Sequence, residues 1–153
     1  MSDQRTTSAP RGTEIAAYAG RPASYWVACL ASLAMIVGGV GPWATAFGFI
    51  SVDGTRLHGW NEVALGVAGL LMLVVHWVRG ARLPLIVAAG AGAIGAMQAA
   101  ATVSKLGSDG TLTVLGVQYR YLDPAWGLYL VLGGGIALAC AATLAWRAAR
   151  TTT

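Results

Sequence analysis

Charge is scarce in this sequence. Only 16 of its 153 residues are charged, ten basic and six acidic, a share of 10%. Soluble domains carry roughly 25%, so these few charges cannot give a soluble fold of this size an ordinary wetted surface. Nine of the ten cations are Arg and one is Lys105, and they stand at the ends of apolar runs. Without a cluster, a net charge of +4 argues against a nucleic-acid partner. Cysteine is nearly missing too. Cys29 and Cys140 both lie inside apolar runs, which excludes a disulfide framework and fits small buried hydrophobes. No His-Glu-x-x-His, paired Cys-x-x-Cys, Walker loop or Gly-x-Ser-x-Gly elbow occurs. The sequence therefore offers no ground for an enzyme, a metal or a cofactor.

What is abundant is apolar chain, at 56% of residues, with a mean hydropathy of +0.63. Disorder is excluded with it. Charge is absent between Arg21 and Asp53, Glu62 and Arg79, Arg82 and Lys105, and Asp123 and Arg147. Each gap approaches or exceeds the roughly 17–25 residues that cross a bilayer as a helix. The expected fold is an all-α transmembrane four-helix bundle, with spans at 23–46, 60–78, 84–103 and 124–146. It forms one membrane domain over 22–147, between a polar, disordered tail at 1–21 and a short tail at 148–153.

Local signals mark the span ends. Pro22, Pro84 and Pro124 suit a first helical turn, where an N–H has no intrahelical partner. Asn61 and Asp123 are expected N-caps. Pro42, in Gly38-Gly-Val-Gly-Pro-Trp43, should kink or end the first helix. All six Trp, including Trp43, fall near span ends, as an aromatic belt requires.

Four spans place both termini on one side. That side carries Arg5, Arg11, Arg21, Arg79, Arg82, Arg147 and Arg150, against Arg56, Lys105 and Arg120 on the other. The positive-inside rule makes the termini cytoplasmic in a cell (inner) membrane. A competing reading cleaves the first run as a signal peptide after Ala44-Thr45-Ala46. The length of that run and of the tail before it weighs against this.

The outer loops carry β signals. Asp53-Gly54 predicts a hairpin pairing 49–52 with 55–58, since Asp-Gly favours a type I′ turn. A second Asp-Gly-Thr at 109–111 precedes a β-branched and aromatic run to Tyr121, read as one or two strands. The two loops are expected to join in a small extracytoplasmic sheet. Within the bilayer, small residues are expected to let backbones approach: Ala88, Gly92, Ala96 and Ala100, then Gly133-Gly-Gly135, Ala137, Ala141 and Ala145, with Gly66 and Gly69.

Two sets of polar residues are candidates for function. Gln98 lies well inside the third span, where polar groups mark functional sites by default. Asp53, His58, Asn61, Glu62 and Asp123 form a mixed group at the outer mouth, suited to a cation or a partner. Helix capping is the competing account for these acids.

Gly41-Pro-Trp43 at the end of the first span, Ile50-Ser-Val-Asp-Gly54 in the loop and Trp126-Gly-Leu-Tyr-Leu130 at the start of the last span carry a resemblance. With them, the region 22–147 resembles small four-span membrane proteins of actinobacteria, a likeness that implies the bundle and no particular activity. Length and span count also resemble the small multidrug resistance transporters. Those use a Glu in the first span, where this chain has no acid. The expected role is a structural or accessory membrane protein. It would engage the bilayer and another envelope protein, or itself. The alternative is a small oligomeric transporter or channel with Gln98 on its path.

Overall fold

The computed structural model describes residues 23–46, 50–57, 59–109, 111–114, 117–120 and 122–151. The tail expected at 1–21 and the side chain of His58 lie outside them. Four helices are long and apolar enough to cross a bilayer, covering Ala23–Val40, Gly59–Arg79, Leu83–Ser108 and Trp126–Arg150. In full they are α1 (Ala23–Val40), α2 (Gly59–Arg79), α3 (Leu83–Asp109) and α4 (Trp126–Thr151). Each packs on its chain neighbours, and α4 closes the ring against α1.

The helix ends follow local chemistry, and several differ from expectation. α1 stops at Val40, short of Ala46, because Pro42 has no N–H to continue the ladder. Gly41 N–H makes the last bond, to Val37 C=O (3.0 Å). α2 begins at Gly59, so Asn61 sits inside its first turn and is not the N-cap. It ends against Gly80, whose φ of 64° gives the left-handed C-cap that glycine adopts without penalty. Gly80 N–H bonds His76 C=O (2.9 Å). Pro84 is the second residue of α3, as a first-turn proline should be. α3 continues past Val103 to Asp109, and α4 runs on through the expected tail to Thr151. Asp123 and Pro124 belong to a strand, with α4 starting two residues later at Trp126. Asp123 is therefore not a helix cap.

The strands lie at the end of the bundle where α1 and α3 finish. A three-stranded antiparallel sheet has the order β2–β1–β5, with β1 (Pro42–Ala46) between β2 (Ile50–Asp53) and β5 (Leu122–Pro124). Thr45 pairs with Ser51 on one side and Asp123 on the other. β3 (Thr111–Val114) and β4 (Val117–Arg120) form a separate hairpin. The two loops thus do meet in one sheet, through β5.

The hairpin expected about Asp53-Gly54 does not form. β2 pairs backwards with β1, and Gly54–Arg56 is a 3₁₀ turn. Gly54 has no left-handed φ, so it makes no type I′ turn. Its role is close approach. Gly54 N–H bonds Gly41 C=O (2.9 Å), and a Cβ there would overlap the Trp43 indole and Gly39 C=O.

Small residues hold the helices together, as packing in lipid requires. A Cβ on Gly92 would lie 2.7 Å from Gly135 C=O, and one on Gly135 equally close to Gly92 C=O. Gly38 faces Gly127 C=O at 2.7 Å in the same sense, and Gly66 faces Ser32 C=O at 2.9 Å. The buried face of α3 runs Leu85, Ala88, Gly92, Gly95, Ala99 and Leu106, while Ala100 is exposed. The expected four-residue stripe drifts off the seam because the helix repeats every 3.6 residues. Met35, Leu73 and Leu138 fill the centre at 0% exposure.

Candidate functional site

Glu62 is the chemically exceptional residue. It lies in the first turn of α2, yet its side chain is 0% exposed. A Cβ built on Gly95 of α3 would come within 2.8 Å of Glu62 Oε2 and would overlap the Met35 methyl of α1. The carboxyl is therefore held between three helices, and Gly95 provides the space for it. Neither carboxyl oxygen has a hydrogen-bond partner among the described residues. Leaving a buried polar group unpaired costs about 1–3 kcal/mol, and more when it is charged. The capping account of this acid is not met by these residues.

A cleft of about 290 Å³ opens beside Glu62, bounded by Asn61 on α2 and Trp43 on β1, with Gln98, Ala101, Thr102 and Lys105 on α3. The α3 residues fall at i, i+3, i+4 and i+7, one helical face. Asn61, Gln98 and Lys105 are exposed, so the cleft faces outward along the α2–α3 seam. The Thr102 hydroxyl donates to Gln98 C=O (3.0 Å), which leaves its oxygen free to accept. Trp43 is only 3% exposed and donates its indole N–H to Gly38 C=O (2.9 Å). It forms a fixed aromatic wall and is no interfacial belt residue. Trp26, Trp60 and Trp126, by contrast, are exposed, at 46%, 64% and 51%. Two other clefts, of about 310 and 190 Å³, are lined mainly by apolar residues of α1 and α4, and of α3 and α4.

The structure regroups the expected candidates. Asn61 and Glu62 separate from the acids of the loops and join Gln98, which the sequence presented as a lone intramembrane group. Asp53 and Asp123 are exposed on the two outer strands of the sheet, with β1 between them. Asp53 precedes the 3₁₀ turn without making a side-chain cap. No group of three His, Cys, Asp or Glu is placed to hold a metal among the described residues. His76 bonds Ala81 C=O through Nδ1 (2.7 Å). Since a carbonyl only accepts, Nδ1 carries the proton, and this bond ties the end of α2 to the α2–α3 connection. Cys29 and Cys140 are free thiols on adjacent helices, Cys29 half-buried and Cys140 exposed.

Trp43, Thr102 and Lys105 had no place among the sequence candidates. The spacing of Gln98, Thr102 and Lys105 was visible as one face of a helix. Trp43 was not, because its role depends on the chain folding back into a sheet.

Compared with protein-family models, curated proteins and solved structures, the chain matches none. The likeness to four-span actinobacterial proteins rests on its three short motifs alone.

Proposed function

We propose that the chain is a multi-pass membrane protein acting as a structural or accessory component, by binding and not by catalysis. Both termini lie in the cytoplasm and the sheet lies on the far side of the membrane. The observation that carries this reading is the contact of helix backbones through glycine on three seams of the bundle, around a centre filled by Met35, Leu73 and Leu138. Such close packing favours a bundle that keeps its shape over one that opens a path for a solute. The charge pattern supports the orientation. Arg79, Arg82, Arg147 and Arg150 fall at the end away from the strands, where the positive-inside rule places the cytoplasm.

A transporter would have to open the seams that Gly92 and Gly135 close. Reconstitution in liposomes tests this directly. The chain is expected to carry no ion or solute flux alone, and to co-purify with an envelope protein from mild detergent. Flux from the purified chain that is abolished in Gln98→Leu would replace this reading with the transporter. Reporter fusions at both termini test the orientation, and both are expected to report the cytoplasm.

A further inference from the structure

The Glu62 cleft combines features that the proposed function leaves unused. An acid sits at its base with both oxygens buried and unpartnered among the described residues. An aromatic ring and neutral oxygen acceptors line it, and an ammonium group stands further along α3. From this arrangement we infer that the cleft binds a zwitterion carrying an ammonium and a phosphate, as in the headgroup of phosphatidylethanolamine. The inference rests on the reading of the chain as membrane-spanning.

Each part of such a ligand has a counterpart. An ammonium donates hydrogen bonds and accepts none. Glu62 would take the charge, while the Gln98 amide oxygen and Thr102 hydroxyl accept the remaining donors. Trp43 adds an aromatic wall that attracts cations. A multivalent metal ion is a poorer fit, since Glu62 is the single carboxylate lining the cleft. The anionic part would meet Lys105. Gly95, against which the carboxyl packs, and Lys105 are ten residues apart on α3, about 15 Å of helix rise. Long helical side chains lean back toward the start of their helix, which at Lys105 would shorten that distance. The ligand would thus lie along α3 with its ammonium inward and its phosphate outward.

The outer end of the cleft lies at headgroup depth. α3 has 27 residues and so spans about 40 Å, against about 30 Å of hydrocarbon. Lys105 is four residues from its end, in the excess length at the bilayer surface. Glu62 is in the first turn of α2 at the same end. The carboxyl itself, packed on Gly95 at mid-length of α3, lies deeper, so a free zwitterion enters ammonium first, whereas a bilayer lipid would have to turn its ammonium inward past its phosphate.

Native mass spectrometry of the full chain tests this, in mild detergent with equimolar phosphatidylethanolamine and phosphatidylglycerol. The wild type should retain phosphatidylethanolamine about tenfold better, the ratio of one charge-assisted hydrogen bond. Glu62→Gln should bring that ratio close to one. Lys105→Gln, on an exposed side chain, should weaken both lipids and preserve the ratio, because both carry phosphate. Equal retention by the wild type overturns the inference. So does a tenfold ratio surviving in Glu62→Gln, or undiminished retention in Lys105→Gln. If Glu62→Gln fails to fold, the Lys105→Gln result still decides.

Competition with soluble compounds identifies the source of the ligand. Displacement by phosphoethanolamine assigns the cleft to a free zwitterion, and its failure to displace assigns the cleft to the lipid. Ethylammonium displacing as well as phosphoethanolamine removes the role of phosphate and overturns the inference. Flotation with liposomes separates the two readings. A chain that does not float overturns the membrane reading, whereas one that floats without headgroup preference overturns only the site.

Discussion

Alanine at Gly135 and alanine at Gly133 should act on stability in opposite directions, although the two positions are two residues apart in α4. Both substitutions gain helix propensity, about 0.8–1.0 kcal/mol relative to glycine. Their surroundings differ. A Cβ at Gly133 meets nothing within 4 Å, whereas one at Gly135 lies 2.7 Å from both Ala96 N and Gly92 C=O. Those atoms are backbone and cannot rotate away, so α3 and α4 must separate. Overpacking of this kind costs about 1–3 kcal/mol. Gly133→Ala should therefore stabilise by up to about 1 kcal/mol, and Gly135→Ala should destabilise by up to about 2 kcal/mol once its propensity gain is subtracted. Propensity cancels in the comparison, so the difference between variants measures the steric term alone. Equilibrium unfolding in mixed micelles, followed by far-UV circular dichroism, reads both values. Equal stability of the two variants would refute the claim that α3 and α4 touch through backbone at Gly135.

Other substitutions test separate parts of the fold. Leu138→Ala should cost about 2–5 kcal/mol, because Leu138 is 0% exposed and its Cδ2 lies where a Cβ on Gly69 would come within 2.9 Å; the same unfolding assay applies. Tyr25→Phe removes the bond from the Tyr25 hydroxyl to Leu73 C=O (3.1 Å, buried) and should lower stability by about 0.5–1.5 kcal/mol. Gly80→Ala should destabilise by about 1–2 kcal/mol through its left-handed backbone, even though nothing lies within 4 Å of the added Cβ. Thermal melts of Gly80→Ala and Gly80→Asn check this, with Asn the milder change. Glu62→Met should stabilise the ligand-free chain by about 1–3 kcal/mol, by removing two unpartnered buried oxygens.

Much of the fold was legible because charge and turn chemistry mark it. The uncharged runs located four helices, and Pro42 announced the end of the first. Pro124 misled, since a proline fits the first turn of a helix as well as an edge strand. β5 took it because Ala44 to Ala46 of β1 offered partners across the sheet, with Ala44 opposite Pro124. Asp53-Gly54 misled for a similar reason. The dipeptide suits a type I′ turn, but close approach to Gly41 and Trp43 used the glycine differently. The site was half legible. Gln98 stood out as a polar group inside a span and Glu62 as one of several at the outer mouth, and their meeting in one cleft did not, because it depends on Gly95 facing α2 from 33 residues away in the chain.

Scarcity of charge by itself determined that this chain is built from helices suited to a bilayer, since backbone polar groups in hydrocarbon must be satisfied internally. The spacing of small residues along α3 and α4 determined that those helices could approach closely. The tertiary structure decided which acid is buried. Of Asp53, Glu62 and Asp123, only Glu62 is turned inward, because it alone stands on a helix opposite a glycine, while the strands leave the other two exposed. Burial is a property of the neighbours a fold supplies, and those neighbours, Met35 of α1 and Gly95 of α3, lie far from Glu62 in the sequence.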